Sequence, residues 1–340
     1  MDWFVVNAVG KALRRTRQCL LEPFDLKKWL KLAIIVALAG GGGSSGYNGS
    51  TPNTGNSDLP DLPFSYIPNG NVFVDQITST PDLPLILAIV GSIGLFILIL
   101  WYISSVMDFV FVESITKNDV RLWESSKRYM RMGLNLFIIR FVLAIGFFAI
   151  FIMAALPLII QMINDPATSF MPMLIAGGMS LVAIILIIWI FSTIIYSFIY
   201  LCIPISMYDE IGIIEALEKV VATFRQDWKQ MIAYWFGRFI LWTGGGVAFG
   251  IIILLLMLMP GLLFLLIDGI IYFALSEIVQ QSIIWLILAP FAAIEIALLI
   301  LFSIMGIMPL HVFMKYHMLV FLEKWSKDTT IPFFELADEN

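Results

Sequence analysis

The sequence predicts an all-α integral membrane protein with about six transmembrane helices, cytoplasmic interfacial amphipathic helices and a parallel internal repeat. Of its 340 residues, 60% are hydrophobic and only 13% are charged, whereas globular domains average about 25% charged residues. Long uncharged runs recur along the chain, and the lysines and arginines cluster between them. This composition excludes a disordered chain, a coiled coil and an ordinary cytosolic enzyme.

Uncharged runs long enough to cross a bilayer occupy most of the chain. A hydrocarbon core of roughly 30 Å needs about 20 apolar residues in a helix. The runs are continuously apolar rather than alternating, which favours helices over strands. They cover residues 83–107, 141–164, 166–208, 239–267 and 278–314, the last of which is broken only by Glu295. A shorter first span lies within residues 25–41.

The basic residues predict the orientation of these spans. All 20 lysines and arginines fall in four clusters, at 11–31, 117–140, 219–238 and 315–327. The positive-inside rule places all four clusters in the cytoplasm, so an even number of spans separates each cluster from the next. We therefore expect six spans in a multi-pass protein of the plasma membrane, with both termini cytoplasmic.

Three segments allow other assignments. Residues 166–208 could hold two short spans that turn at Gly177-Gly178, which would move the third basic cluster outside. Residues 260–282 could form a seventh span, although Asp268 favours a re-entrant or interfacial segment. Ala37-Leu38-Ala39 imitates a signal-peptide cleavage site, but the preceding basic region is longer than usual. We therefore expect a retained first span.

Interfacial and polar segments lie outside the spans. Residues 1–24 predict a basic helix in the headgroup layer, with a plain topogenic charge cluster as the alternative. Residues 42–82 form a polar extracytoplasmic loop with a glycosylation sequon at Asn48, and residues 319–340 form a cytoplasmic tail. The apolar face expected for the N-terminal helix consists of Trp3, Val6, Val9, Leu13 and Leu20.

Residues 83–318 predict a five-helix membrane core with two cytoplasmic surface helices, at 117–133 and 210–231. Each surface helix precedes an outgoing span that contains an Arg-Phe pair, at Arg140 and Arg238. This order predicts parallel repeats about the membrane normal. In the second surface helix, apolar residues recur every three or four positions, as on one face of a helix: Ile214, Leu217, Val221, Phe224, Trp228 and Met231.

Short motifs near the first span and in the second surface helix resemble those of known membrane protein families. They are Pro23-Phe24, Lys27-Lys28-Trp29-Leu30-Lys31-Leu32, and Glu215-Ala216-Leu217 leading into Trp228. The layout resembles uncharacterised prokaryotic membrane protein families related to the membrane domain attached to some glycerophosphodiester phosphodiesterases. The resemblance covers most of the chain and implies a six-helix membrane module. It implies no enzymatic activity, because the catalytic domain of those enzymes is absent.

Ionisable groups within the spans are the candidate functional residues, because each costs roughly 2.5–3.5 kcal/mol to insert. Arg140 and Arg238 lie roughly 10 Å into their spans, at 1.5 Å per residue. From that depth they can snorkel to the inner headgroups, clamp a lipid phosphate or pair with a buried carboxylate. Glu295 lies near the middle of the last span, where one of the arginines is its natural partner. We favour a structural role for Glu295, because a lone carboxylate makes a poor transport path.

The sequence contains no catalytic, metal-binding or cofactor-binding motif. Its two cysteines have no neighbouring histidine, and its two histidines fit no zinc-binding pattern. We therefore expect a protein that is not an enzyme and has no metal or cofactor. It would organise lipid or unknown partner proteins at the inner leaflet, in contact with anionic headgroups and without nucleic acid. The alternative is a transporter or channel that uses Glu295 with Arg140 and Arg238.

Overall fold

The computed structural model describes residues 4–39, 83–164, 170–326 and 329–334. Within these residues the chain is helical, without strands. The expected loop at 42–82, including Asn48, lies outside the described residues, as does the end of the tail. The helices are α1 (Phe4–Leu21), α2 (Leu26–Leu38), α3 (Leu83–Thr116), α4 (Leu122–Asn164), α5 (Phe170–Tyr208), α6 (Ile213–Gln226), α7 (Trp228–Ser276) and α8 (Gln281–Trp325).

Five helices, α3, α4, α5, α7 and α8, are long and apolar enough to cross a membrane. Along much of their length they expose large apolar side chains, such as Leu95, Phe148 and Leu265. This architecture fits an all-α integral membrane protein. Helix α2, at the place of the expected first span, is shorter than these five helices. Its 13 residues rise only about 20 Å at 1.5 Å per residue.

Two long helices continue through segments where the sequence allows the helix to end. Helix α5 passes through Gly177-Gly178 without a turn. Most of the segment 260–282 does not form a helix of its own, since α7 continues through Pro260 to Ser276. A proline removes only one backbone hydrogen bond, and an apolar environment keeps the remaining donors within the helix.

The two expected surface helices differ from the structure in their boundaries. Residues 117–133 do not form a helix of their own, because α4 begins at Leu122 and runs on into the apolar segment. A left-handed Asn118, with φ 55°, turns the chain just before it. The segment 210–231 is divided at Asp227 between α6 and the first turn of α7.

Helices α1 and α6 each bury a face that includes small side chains and leave several large apolar residues exposed. In α6, Ile213, Ala216 and Val220 are buried, whereas Ile214 is exposed. In α1 the buried residues include Val5, Ala8, Ala12 and Cys19, whereas Val6 and Leu13 are exposed. Small side chains let helices approach closely, so these residues form the packed face.

One end of the bundle is densely packed, and we call it the base. It comprises α1, α2, α6, residues 329–334 and the adjoining ends of the five long helices. Most of the buried core lies here, including Phe109, Tyr234, Tyr316 and Phe321. Helix α1 is held against α8, where the His317 Nε2 atom lies 3.2 Å from the Val5 carbonyl oxygen. The base positions the charged residues described next.

Candidate functional site

A buried ion pair joins α3 to α4 within the base. The Arg140 side chain is only 3% exposed, and its Nη2 donates to Asp108 Oδ2 over 2.7 Å. Its Nη1 atom also donates to the Ser105 hydroxyl, at 3.3 Å. Arg140 therefore does not snorkel to headgroups. A carboxylate within the protein compensates its charge, as a buried cation requires.

Lys315 brings α8 to the same carboxylate. Its Nζ lies 3.4 Å from Asp108 Oδ1, while Arg140 binds the other oxygen. The Tyr200 ring of α5 lies beside both cations, with its centroid 5.3 Å from Lys315 Nζ and 5.4 Å from Arg140 Cζ. Cation–π contacts of this kind are strongest where the cation is desolvated. Four helices thus meet around one carboxylate.

Arg238 of α7 completes this cluster. Its Nη1 donates to the Tyr234 hydroxyl over 2.7 Å, which is a neutral acceptor. Within the described parts of the chain, no carboxylate forms an ion pair with Arg238. Arg238 also lines one cavity together with Asp108 and Lys315. The structure therefore brings the two arginines of the suspected repeat to one place, with three cations around one carboxylate.

A cavity of about 50 Å³ lies against this cluster. One water molecule needs roughly 10–15 Å³ of such space, so the cavity has room for a compact polar group. The Trp242 and His311 rings meet edge to face in its wall, with centroids 5.1 Å apart. The lining residues are Val36, Ala39, Asp108, Phe111, Tyr200, Arg238, Trp242, His311, Met314, Lys315 and Met318.

Glu295 lies elsewhere, and the structure does not bring it to either arginine. It precedes His311 on α8 by a helical rise of roughly 24 Å, at 1.5 Å per residue. Its carboxyl group interacts instead with that of Asp268 on α7. The expected pairing of Glu295 with Arg140 or Arg238 therefore does not occur, because Asp108 satisfies Arg140 in the base.

Comparison with known proteins gives a family without an assigned function. A family of unknown function (DUF7544) matches residues 3–331. The chain belongs to this family. No curated protein matches it, and no solved structure does. The DUF7544 match supports an uncharacterised family, but nothing in it connects the chain to the membrane domains of glycerophosphodiester phosphodiesterases.

In this DUF7544 member, sequence reasoning identified two residues of the cluster and missed three. Arg140 and Arg238 were found because cations inside apolar runs are costly. Asp108 and Lys315 lie at the borders of such runs, where charges are ordinary, and Tyr200 carries no charge. One feature of the sequence does indicate Asp108: it directly follows the uncharged run 83–107. At that depth it can serve as the partner of an arginine of the next helix.

Proposed function

We propose that this DUF7544 member is a non-catalytic, multi-pass protein of the plasma membrane that organises anionic lipid at the inner leaflet. Unknown proteins held through that lipid are its further partners. In this proposal six spans cross the bilayer, both termini are cytoplasmic and the base faces the cytoplasm. The observation that carries the proposal is a pair of exposed tryptophan–lysine contacts where α4 and α7 begin.

These contacts have the chemistry of a membrane interface. Trp123 is 74% exposed, and Lys127 Nζ lies 5.0 Å from its ring centroid. Trp228 is 50% exposed, with Lys229 Nζ at 6.0 Å. Tryptophan concentrates at the headgroup level, and lysines near an anionic leaflet gain about 1 kcal/mol each. Both pairs lie at the start of long apolar helices, which supports a position at the leaflet surface.

The exposed face of α1 supports the same position. Lys11, Arg14 and Arg17 lie there beside the exposed apolar residues Val6 and Leu13. Cationic and apolar side chains together suit a helix in the headgroup layer, where insertion and attraction to anionic lipid add up. The exposed face includes Val6 and Leu13 of the apolar face that the sequence predicts for this helix.

The proposal is tested with the full-length protein in lipid nanodiscs. Thermal unfolding is measured in phosphatidylcholine, with and without phosphatidylglycerol. We expect phosphatidylglycerol to raise the melting temperature of the wild type, and the double variant Lys127→Gln/Lys229→Gln to lose much of this increase. The matched Lys127→Arg/Lys229→Arg variant keeps both charges and should keep the increase. An equal response of the Gln variant and the wild type would refute the proposal, as would no response of the wild type.

The nearness of the Asp268 and Glu295 carboxyl groups favours a second candidate, a transporter or channel. Two neighbouring carboxyl groups can share a proton by a hydrogen bond between them. The transporter or channel expected from the sequence uses Glu295 together with Arg140 and Arg238. In the structure Glu295 lies away from both arginines, so the arginines would form a separate part of the transport path.

Proton flux into proteoliposomes under an imposed potential tests this second candidate. Loss of flux in Glu295→Gln, but not in Arg131→Gln, would support transport, and a wild type without flux would exclude it.

A further inference from the structure

The buried cluster in the base has more positive than negative charge. Asp108 is the carboxylate that Arg140 and Lys315 share, and Arg238 has the Tyr234 hydroxyl as its acceptor. Formally, three cations face one anion. Removing charges from water costs several kcal/mol per ion unless opposite charge compensates them. The described side chains supply only part of that compensation.

A second cluster in the base shows that this imbalance needs an explanation. Glu113 also binds two cations, Lys117 at 2.6 Å and Arg128 at 2.8 Å. There, however, the cations are 52% and 60% exposed, so solvent compensates the excess charge. Arg140 and Lys315 are 3% and 11% exposed and Arg238 is half-buried, so solvent compensates these cations less than it does around Glu113.

The cavity lies where the uncompensated charge is. Its wall includes Arg238, Lys315, His311 and Asp108. The His311 Nδ1 atom lies 3.2 Å from the Ile307 carbonyl oxygen, a separation at which the ring N–H can donate to that acceptor. Apolar side chains, such as those of Met314 and Met318, complete the wall. A compact anion in this space would contact two cations, Arg238 and Lys315.

We propose that this cavity binds an oxyanion of the phosphate class, with Arg238 and Lys315 as its cationic ligands. The group is either the phosphate of a lipid headgroup or free phosphate. Guanidinium presents a planar fork of donors that matches phosphate oxygens, and ammonium adds a compact charge. Asp108 and Arg140 act as positioning residues, because they hold Lys315 at the cavity wall. The site extends the proposed function from the leaflet surface into the interior of the base.

The test uses the purified full-length protein in maltoside micelles, which contain no phosphate. Binding of radiolabelled inorganic phosphate is measured by equilibrium dialysis, and retention of added phosphatidylglycerol by native mass spectrometry. We expect the wild type to bind one of the two probes. Arg238→Gln should weaken that binding at least about tenfold, the value of one charge-assisted hydrogen bond. Lys315→Met should weaken it by a similar factor.

Two control variants separate a lost ligand from a damaged fold. Arg238→Lys keeps the charge and should retain most of the binding, whereas Arg131→Gln removes an exposed arginine outside the cavity and should bind like the wild type. If Arg238→Gln fails to fold, the comparison of Lys315→Met with Arg131→Gln decides the question.

The outcomes also identify the source of the phosphate and separate this inference from the proposed function. Retention of phosphatidylglycerol alone indicates a lipid headgroup, and binding of inorganic phosphate indicates a soluble ligand. The inference is overturned if the wild type binds neither probe, or if Arg238→Gln and Lys315→Met bind as tightly as the wild type. The Lys127→Gln/Lys229→Gln variant leaves the cavity intact, so its nanodisc result bears on the leaflet proposal alone.

Discussion

Arg140 and Asp108 lie 32 positions apart in the chain and form a buried ion pair of 2.7 Å that joins α3 to α4. Lys315 binds the other oxygen of the same carboxylate from α8. Three helices therefore depend on one side chain for the compensation of buried charge. Loss of that carboxylate would leave two desolvated cations facing each other, which is more costly than loss of the contact itself.

Asp108→Asn should therefore destabilise the protein strongly. Breaking a buried ion pair from one side typically costs about 3–5 kcal/mol, and here two cations lose their partner. The measurement is the unfolding free energy in mixed micelles at increasing denaturant. Asp119→Asn is the matched control, because Asp119 pairs with Arg121 at the exposed surface, where such pairs contribute little. Equal stability of the two variants would show that Asp108 does not hold the cluster.

Gly133 permits a close approach of α3 and α4. A Cβ atom at this position would lie 2.5 Å from Val106 Cγ2 and 2.8 Å from the Val106 Cα atom. Since the backbone cannot move cheaply, Gly133→Ala should lower stability by about 1–3 kcal/mol. Gly146 lies on the same helix with nothing within 4 Å of its Cβ position, so Gly146→Ala should be neutral or slightly stabilising. Thermal unfolding of both variants in one micelle preparation checks this difference.

The sequence could predict the helical class and the long apolar helices, because length and composition decide these features locally. It could not predict which residues of α1 or α6 pack against other helices. The stripe of large apolar residues that includes Val6 and Leu13 is the face expected at the lipid interface, and both residues are exposed. Between helices of a membrane protein, small residues such as Ala8 and Ala12 pack instead, and large apolar ones are left exposed.

The cluster around Asp108 was beyond sequence reasoning for a related reason. Each arginine could be recognised by its own depth in an apolar run. The shared partner depends on how α3, α4 and α8 pack, because Asp108 and Lys315 are far apart in the chain. No local pattern connects two residues 207 positions apart.

The proposed orientation of the spans predicts a definite pattern of cysteine labelling. Cys19 and Cys202 are buried, and burial raises the pKa of the Cys19 thiol, so the wild type should react little with a maleimide. Introduced cysteines at the exposed positions Lys127 and Glu218 should react with an impermeant maleimide only in inside-out vesicles. Ile278→Cys, in the turn between α7 and α8, should react only from the opposite side. Labelling of the first two positions from different sides would contradict six spans.

Arg15 should hold the C-terminal segment 329–334 against the base. Its Nη1 donates to the Phe334 carbonyl oxygen over 2.9 Å, and its guanidinium lies 4.2 Å from the Phe333 ring centroid. The Phe334 amide in turn donates to the Thr116 carbonyl oxygen, at 2.9 Å. A hydrogen bond from a charged donor contributes about 1.5–3 kcal/mol. Arg15→Met should therefore increase local opening of the segment about tenfold or more, while the helices remain folded.

Limited digestion with chymotrypsin measures this opening, because the protease cleaves after aromatic residues such as Phe333. Cleavage there should be faster in Arg15→Met than in the wild type, with unchanged melting of the helices. Arg14→Met is the matched control, since Arg14 is exposed on the other face of α1 and should leave the rate unaltered. If both variants are cleaved as slowly as the wild type, contacts other than Arg15 hold the segment in place. Ile331, which is buried in the core, would then be the next residue to replace.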